Sequence, residues 1–519
     1  MKVILILFLT CSFFRVDLQA SHKHKNRQTS TRQVVQSIEK IDQDIPNTVG
    51  PVELTGRLVF PLSPEYDSAR QEYNTFFNHF PLVIVFAQEN LDIVNAIKWA
   101  RFYQIPFRLR SGRHNYEGLS AVDGGLIIDV SEMKKIEIDK EHHTVTVETG
   151  ITDIELAEAL SQHNLVVPNG LCFTTGIAGF TLGGGQSAFC RQFGLAIDQL
   201  LEVEMIDANG CIIYASASEN PDLFWALRGG GGGNFGVCTK FKFRTHKLHK
   251  VTYANIGWGL DDLSEVVQVW QLYNTPYANN KMTPLLSLVN SAQQTHSFPG
   301  YEQKKQEFQL KFNGQPEPTS SAITFQCVFL GSVKELRKLL QPLLNTGHPQ
   351  QVFIKKMPWI EAEYRIGLTQ PVLPEPFKST GPFVPKALPQ QAIAIIKEFM
   401  ESPPENNIVA IVLHGLNGAI ANIKPQDTAY YYRNAWFNIN PWATWTSSNG
   451  SAAGINWVNQ LTKKLSCYTS GSYVNSPDLS LTNWQEAYYG NNYRRLTCVK
   501  RRYDPDNVFH FSQSIQPGN

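Results

Sequence analysis

Two nucleophilic side chains in this sequence stand in glycine-rich surroundings. His114 lies in the run 110–118, Arg-Ser-Gly-Arg-His-Asn-Tyr-Glu-Gly, and Cys172 lies in the run 168–185, where glycine recurs. A neutral imidazole and a thiolate can both attack an electron-poor ring. Because glycine has no side chain, the backbone beside each nucleophile can approach a ligand closely. The pair could therefore hold one flat cofactor from two sides.

Two glycine-rich segments have the composition of phosphate-binding loops. The glycines of 168–185 follow neither helix nor strand spacing, and such a backbone can present successive N–H donors to a pyrophosphate; tight turns in a barrel-like corner are the alternative. The segment 231–236 matches GxGxxG, but a helical pattern at 222–227 precedes it and a strand pattern at 237–243 follows it. The dinucleotide fingerprint needs the opposite order, so we expect a helix-to-strand loop that approaches a phosphate.

Alternating strands and helices are predicted to position these loops. Between residues 81 and 247 the patterns indicate strands at 82–86, 107–110, 125–130 and 143–148, and a helix at 153–163. From 251 to 455 the pattern changes to aromatic-rich strands, such as 323–330 and 408–414, and two helices, at 332–344 and 389–400. A last helix carries Leu496, Val499 and Tyr503 on one face before the breaker at 504–507. The order predicts an α+β fold with a separate layer that can cover a substrate.

The composition favours a globular protein that binds small molecules. A chain of 519 residues is too long for one ordinary hydrophobic core, so more than one packed unit is expected. With 46 basic and 45 acidic side chains, the charge balance gives no reason to propose nucleic acid or an anionic membrane as partner. The eight cysteines show no CxxC or zinc-ligand spacing. We therefore predict no metal site, and disulfide pairing stays open.

The N-terminal residues have the pattern of an export signal followed by a linker. Lys2, the apolar run 3–14 and Ala20 have the order of a signal peptide over residues 1–20. The apolar run is too short to span a bilayer, and a buried N-terminal strand or helix is the alternative. The polar stretch 21–50 is predicted to be a solvated linker, and the protein is expected to be secreted or periplasmic.

Several motifs together carry a family resemblance from about Pro81 to the C-terminus. They are 110–118, 170–179, 198–201, 226–233 and 488–509. In this order they resemble the berberine bridge enzyme-like family of FAD-linked oxidases. The resemblance implies a FAD-binding domain of vanillyl-alcohol-oxidase (PCMH) type over residues 51–247, with its core at about 78–247. It also implies a substrate domain, an antiparallel sheet covered by helices, inserted at 248–455, and a berberine-bridge-like segment at 456–519 that completes the FAD domain.

The resemblance also implies how FAD is held. In bicovalent members the family's histidine bonds the flavin 8α-methyl carbon and its cysteine bonds C6, which assigns these links to His114 and Cys172. Two tethers fix the ring, withdraw electrons from it and make it a stronger oxidant. Arg113 departs from the pattern, because many relatives have Gly there, and it could sit near the ring or the pyrophosphate. The further FAD contacts implied are Arg110, Ser111, Gly112, Arg113, Asn115, Tyr116, Gly118, Leu119, Thr174, Gly176, Gly179, Gly183, Gly184, Asp198, Val237 and Asn492.

Hydride loss from an alcohol carbon requires a base for the hydroxyl proton. Carbohydrate-oxidising relatives use a tyrosinate in the part of the chain where Tyr473 stands here. Tyr473 is therefore the first candidate, followed by Tyr430 and Tyr116, although each could instead be a packing aromatic. A tyrosine base needs its pKa lowered from about 10 by a cation or a hydrogen bond, and Arg433 is a candidate for that cation.

Two replacements and the aromatic content bear on the substrate. Asn440 stands where the alkaloid-cyclising plant enzyme has a glutamate, which disfavours alkaloid ring closure, and Ser476 replaces a second tyrosine of the family pattern. Trp436, Trp442 and Trp445 could stack on sugar rings. We expect an FAD oxidase that takes hydride from a sugar or oligosaccharide at its anomeric carbon and reduces O2 to hydrogen peroxide. An oxidase of an aromatic or polycyclic metabolite and a catalytically silent flavin-binding protein are the alternatives.

Overall fold

The fold is described by a computed structural model over residues 52–292, 301–312, 314, 321–370, 373–445 and 447–518. The predicted signal segment 1–20 and the predicted linker 21–50 precede these ranges and lie outside the described residues. Within them the strands form three larger sheets and one two-stranded ribbon. Each sheet ends in a loop or strand that contributes to one groove.

The first sheet is mixed and positions the His114 loop. In the described part of the chain it has four strands, in the order Arg57–Val59, Val83–Phe86, Leu126–Asp129 and Phe107–Arg110. The last three are parallel, and their Val and Ile side chains are buried, as in parallel sheets covered on both faces. Helix Asn90–Phe102 packs Ile93, Ala96 and Ile97 on this sheet. Strand Phe107–Arg110 ends directly before the loop that carries His114.

The second sheet is antiparallel and adjoins the glycine-rich segments. Among the described residues it has five strands, in the order Ile136–Asp139, Thr144–Glu148, Val237–Arg244, Leu200–Ile206 and Ile212–Ser216. The glycine loop at 229–236 follows helix Pro221–Leu227 and precedes strand Val237–Arg244. This confirms the helix-to-strand order that argued against a dinucleotide fingerprint. A ribbon of Leu165–Val166 and His246–Lys247 lies beside this layer.

The third sheet is antiparallel and large, and it supplies one wall of the groove. Over the described ranges it has nine strands. Eight of them follow the order Gln351–Pro358, Lys250–Trp258, Ile323–Phe329, Met282–Ser291, Asn407–Gly415, Phe437–Trp445, Pro382–Val384 and Ser470–Ser472. The ninth, Phe377–Ser379, also pairs with Phe437–Trp445. The register pairs Val412 with Asn440 and His414 with Asn438. Since side chains alternate between faces along a strand, Val412 and His414 share one face.

Helices cover the third sheet and join the layers. Leu263–Trp270, Gln390–Glu401 and Ser451–Leu465 pack their apolar sides into the core of the large sheet. The helix predicted at 332–344 is in fact two helices, Val333–Leu339 and Gln341–Leu344. The break occurs because Pro342 has no backbone N–H with which to continue the hydrogen bonds of the first helix. The other α-helices are Tyr66–Arg70, Asp153–Ser161, Ile177–Leu182, Cys190–Phe193, Ala196–Gln199, Tyr301–Phe312, Trp359–Gly367, Trp484–Tyr489 and Tyr493–Tyr503.

The architecture is α+β, which confirms the predicted fold class. The C-terminal helix Tyr493–Tyr503 buries Leu496 and Val499 as its pattern predicted. Both residues belong to the same core cluster as Phe235 and Phe241, so the end of the chain packs on the layer formed by its first half. In the described part of the chain, no helix is both long and apolar enough to cross a bilayer.

Candidate active site

A groove is formed where the His114 loop, the Cys172 ribbon, the glycine loop at 229–236 and the C-terminal segment meet the large sheet. Of the predicted FAD contacts, those that line it are Arg110, Ser111, Gly112, Arg113, His114, Asn115, Tyr116, Leu119, Cys172, Gly176, Gly179 and Val237. Of the three candidate bases, Tyr116 and Tyr473 line it. Val412, His414, Asn440 and Trp442 add the sheet wall. Residues that are far apart in the sequence thus share one cavity.

Gly112 and Gly176 bring the two nucleophile-bearing loops into direct backbone contact. A Cβ on Gly112 would overlap the backbone nitrogen of Gly176, and a Cβ on Gly176 would overlap that of Gly112. No other residue type fits a contact this close without moving one of the loops. The requirement for glycine at these two positions is therefore steric and mutual.

His114 and Cys172 contact the same hydroxyl group. His114 Nε2 lies 2.8 Å from Thr174 Oγ1, and Cys172 Sγ lies 3.9 Å from the same oxygen. Burial lowers the pKa of His114 to about 3, so its imidazole is neutral. Burial raises the pKa of the Cys172 thiol, and hydrogen bonds from Thr174 and Thr175 oppose that rise. The neutral imidazole can thus act as a nucleophile directly, whereas the thiol needs its hydrogen-bond donors to form the nucleophilic thiolate.

Tyr73 is a site residue that the sequence did not indicate. Its ring stacks on His114 with centroids 3.9 Å apart and planes 21° apart, and its side chain hydrogen-bonds to Cys172. Tyr73 N–H also donates to the Arg113 carbonyl oxygen at 2.9 Å. Tyr73 precedes every recognised motif and lies in no periodic segment, so only the folded chain reveals its position.

The backbone of the His114 loop has the character of an anion-binding turn. The N–H groups of Gly112, Arg113 and His114 donate to no acceptor within the described residues. Successive free N–H groups in a loop form a concave site for phosphate oxygens. These donors, with the glycine loop at 229–236 across the groove, fit the pyrophosphate and ring of FAD.

Arg113 and Arg110 direct their side chains to the protein. Arg113 has φ +64, a left-handed conformation that glycine adopts without steric cost. Its guanidinium donates to the Ser68 carbonyl oxygen at 2.9 Å. Arg110 is buried and bonds Asp129 at 2.6 Å and Glu72 at 3.2 Å. Both arginines line the groove while their charged ends hold the loop in place.

Tyr473 presents its hydroxyl oxygen to two donors in the groove. The Gly185 N–H and the Asn475 side-chain amide each donate to that oxygen at 3.0 Å. Burial raises the pKa of Tyr473 to about 12, and these donors act in the opposite direction. Donors aimed at the oxygen stabilise a phenolate, so Tyr473 has the surroundings of a proton acceptor.

Tyr430 and Tyr116 have different surroundings. Tyr430 lies outside the groove lining, accepts from the Gln186 amide at 3.4 Å, and has a pKa raised by burial. Tyr116 lines the groove, meets the edges of Phe377 and Trp442 at 5.1 and 5.4 Å, and also has a pKa raised by burial. No hydrogen bond to the Tyr116 hydroxyl occurs among the described residues. Of the three, Tyr473 is the one whose oxygen accepts two hydrogen bonds.

Arg433, the candidate cation for a tyrosine base, is engaged elsewhere. It forms a two-fold ion pair with Asp198 at 2.8 and 2.9 Å and donates to Thr428 Oγ1 at 2.7 Å. Its guanidinium lies 5.2 Å from the Tyr430 ring centroid. The carboxylate compensates its charge, so the donors on Tyr473 are neutral groups.

The remaining predicted FAD contacts are not among the residues that line the groove. Asp198 binds Arg433, and Asn492 donates to the carbonyl oxygens of Pro425 and Thr428 at 2.7 and 3.1 Å. The others pack against side chains: Gly118 against Phe77, Gly183 against Asn475, Gly184 against Tyr430 and Tyr473, and Thr174 against His114 and Cys172.

His414 is a second groove residue that the sequence did not indicate. Its Nε2–H donates to the Ser187 carbonyl oxygen at 3.0 Å, and burial lowers its pKa to about 4. The ring is therefore neutral with Nδ1 unprotonated. The alternation of strand 408–414 could have placed it beside Val412, but the pattern alone does not tell which face meets the groove.

The sheet wall combines aromatic and polar groups. Phe377 stacks on Trp442, with centroids 3.8 Å apart, and Asn440 donates to Ser476 Oγ at 3.1 Å. Of the three tryptophans considered for sugar stacking, Trp442 lines the groove, whereas Trp436 and Trp445 do not. In the described ranges no group of three or more His, Cys, Asp and Glu side chains could hold a metal ion.

Comparisons with known proteins show the family of this chain. Residues 81–216 match the family described as FAD binding domain, and residues 472–516 match the one described as berberine and berberine like. YgaK of Bacillus subtilis, a FAD-linked oxidoreductase, is 38% identical over 469 residues, which cover 90% of this chain and 98% of the relative. The solved structure of Physcomitrella patens BBE-like 1 is 26% identical with a TM-score of 0.78, over 94% of this chain and 99% of that one.

A solved chitooligosaccharide oxidase is 21% identical with a TM-score of 0.76, over 94% of this chain and 100% of that one, and shares the fold. The predicted resemblance is confirmed by these findings together. This chain belongs to the berberine bridge enzyme-like family of FAD-linked oxidoreductases.

Proposed function

We propose that the protein is an oxidase whose FAD is bonded to both His114 and Cys172, and that it oxidises an alcohol carbon of a sugar or oligosaccharide with O2 as electron acceptor. The observation that carries the proposal is the shared contact of both nucleophiles with Thr174, 2.8 Å from His114 and 3.9 Å from Cys172. Two attachment groups that contact the same hydroxyl suit a planar ring held from two sides.

The state of each nucleophile supports two bonds to the ring. The neutral imidazole of His114 has a lone pair available for attack. Burial raises the pKa of the Cys172 thiol, and the hydrogen bonds from Thr174 and Thr175 oppose that rise and favour its thiolate. A doubly tethered ring needs no wall for retention, which leaves the sheet side of the groove free for a bulky substrate.

Tyr473 is the proposed base. Bound FAD supplies the hydride acceptor in this reaction. Tyr473 takes the hydroxyl proton of the substrate as hydride leaves the same carbon, while the Gly185 N–H and the Asn475 amide hold the phenolate oxygen. His414, with an unprotonated Nδ1 on the same wall, is the alternative base.

The wall residues support a carbohydrate as substrate. A sugar ring has an apolar face that packs on aromatic rings and a rim of hydroxyls that need hydrogen bonds. Trp442 and Tyr116 offer aromatic rings for the apolar face, and Asn440 and Ser476 offer hydrogen-bonding groups for the hydroxyls. The solved chitooligosaccharide oxidase supports only the fold, so the substrate proposal depends on these side chains.

The attachment is tested by acid precipitation of purified protein. We expect the yellow colour in the pellet, and one flavin joined to both the His114 and the Cys172 peptides after proteolysis. Colour that stays entirely in the supernatant would contradict covalent attachment. His114→Ala and Cys172→Ala provide matched controls, since each should retain one link.

The substrate class is tested with a panel of mono- and oligosaccharides read out as hydrogen peroxide. We expect turnover of at least one sugar, with the anomeric carbon oxidised to a lactone. Reduction of the flavin by a phenolic alcohol and by no sugar would favour an aromatic metabolite. Reduction by neither class would favour a silent flavin-binding protein.

Export is a separate part of the proposal and depends on the signal-like pattern of residues 1–20. We expect protein recovered outside the cytoplasm to begin near Ser21. An intact N-terminus beginning at Met1 on all of the protein would contradict export through this segment.

A further inference from the structure

We propose that Thr174 and Tyr73 are positioning residues that prepare His114 and Cys172 together for attachment of the flavin. The proposal rests on the bicovalent attachment proposed above. The Thr174 hydroxyl contacts both nucleophiles. Tyr73 stacks its ring on His114 and hydrogen-bonds to Cys172. The four side chains, His114, Cys172, Thr174 and Tyr73, are called the attachment cluster below.

Thr174 connects the two nucleophiles in a directed chain of hydrogen bonds. His114 is neutral, so an Nε2–H can donate to Thr174 Oγ1 across the 2.8 Å contact. The Thr174 hydroxyl is then free to donate to Cys172 Sγ at 3.9 Å. This direction leaves His114 Nδ1 with its lone pair and places a donor on the sulfur. One hydroxyl thereby prepares both attacking atoms.

The sulfur of Cys172 has donors on several sides. Besides the Thr174 hydroxyl, the Thr174 backbone N–H and the Thr175 hydroxyl hydrogen-bond to it. The Tyr73 side chain also hydrogen-bonds to it. Burial is the larger opposing influence, and the carboxyl of Asp153 adds to it when it is ionised. Because burial itself disfavours the thiolate, these donors decide whether the reactive form is populated.

Tyr73 fixes the orientation of the imidazole. Its ring lies nearly parallel to that of His114, 3.9 Å away. Its own position is fixed by the N–H bond to Arg113 and by the next residue, Asn74, whose amide donates to the carbonyl oxygens of Tyr116 and Phe377 at 2.7 and 2.9 Å. The segment before the FAD motifs is thus held against both the His114 loop and the large sheet.

Each bond to the flavin is a net two-electron oxidation, for which O2 is the oxidant. At Cys172 the S–H bond and the ring C6–H bond break, and an S–C6 bond forms. At His114 an N–H bond and one C–H bond of the 8α-methyl group break, and an N–C bond forms. Each event leaves two protons and two electrons, which reduce one O2 to hydrogen peroxide.

The roles of the cluster predict a different pattern for each variant. Thr174→Val keeps the shape but removes the shared hydroxyl, so both links should decrease. Tyr73→Phe keeps the stacked ring and removes the donor, so the Cys172 link alone should decrease. Thr175→Val should also affect the Cys172 link alone. Loss of one hydrogen bond to a charged group slows thiolate attack by roughly 10- to 100-fold.

The experiment measures the two links separately in full-length holoenzyme. Proteins are purified after a fixed expression time, total flavin is measured, and the flavin-bearing His114 and Cys172 peptides are quantified by mass spectrometry. Thr174→Ser restores the hydroxyl and should return both links to the wild-type level. Tyr432→Phe is the matched control, since its hydroxyl donates to the Glu486 carbonyl oxygen away from the cluster.

Each outcome decides one of the two proposals. Wild-type protein without covalent flavin contradicts the proposed function. Wild-type protein with both links, together with Thr174→Val protein that also has both, overturns the positioning role. If Thr174→Val fails to bind flavin at all, Tyr73→Phe decides, and an undiminished Cys172 link in that variant overturns the proposal.

Discussion

The dependence of flavin reduction on pH tests whether Tyr473 is the base. Burial raises the pKa of this residue to about 12, so at pH 7 roughly one molecule in 10⁵ carries the phenolate. The rate of hydride transfer should therefore rise about tenfold per pH unit across the neutral range. Tyr473→Phe should lower the rate by about 10²- to 10⁴-fold and abolish that slope.

The magnitude for a supporting residue follows from its hydrogen bond. Asn475 donates to the Tyr473 oxygen at 3.0 Å, and a hydrogen bond to a charged group contributes about 1.5–3 kcal/mol. Its loss in Asn475→Ala should raise the pKa of Tyr473 by roughly one to two units. At pH 7 reduction should then slow about 10- to 100-fold, with the slope against pH unchanged.

The assay is anaerobic stopped-flow reduction of the flavin at saturating sugar, from pH 6 to pH 10, with the fastest sugar of the panel. Flavin content and visible spectrum are measured for every variant, so that a loss of cofactor is not read as a loss of base. A Tyr473→Phe rate within about threefold of wild type refutes the assignment. His414→Gln and Tyr430→Phe then show which residue takes the proton.

Three further predictions concern stability and cofactor binding. Asp198→Asn leaves the buried Arg433 charge without its partner and should lower the free energy of unfolding by about 3–5 kcal/mol, measured by urea denaturation against wild type. Gly176→Ala would overlap the Gly112 backbone and should abolish flavin retention, measured as absorbance per protein; full retention would contradict the contact. Burial raises the pKa of Glu375 to about 7, so the folded state holds a proton that the unfolded state releases, and stability should fall by about 3 kcal/mol as pH rises from 4.5 to 7. Glu375→Gln should remove that fall and raise Tm at pH 8 with little change at pH 4.

Local patterns predicted the elements, whereas contacts between distant segments determined the site. Strands such as Val83–Phe86 and Leu126–Asp129 follow from runs of branched apolar residues, which are local. The motif around His114 was evident because glycine and nucleophile are adjacent in the sequence. Tyr73 and His414 were missed because their roles depend on stacking and on a sheet face that only the complete fold defines. Arg433 has the charge needed to lower the pKa of a tyrosine base, but it is paired with Asp198. Because Asp198 stands far from it in the sequence, that ion pair could not be predicted from local pattern.

The two departures from the family pattern, Asn440 and Ser476, form a single structural unit. The Asn440 amide donates to Ser476 Oγ at 3.1 Å, and both side chains lie so close to Gly381 that a Cβ there would contact each within about 3 Å. A glutamate and a tyrosine at these positions would need more space and would bring a charge. Neither an amide nor an alcohol is basic enough to take the substrate proton, so neither Asn440 nor Ser476 is available as a base. This agrees with the proposal that Tyr473 is the base, since its oxygen accepts hydrogen bonds from two donors.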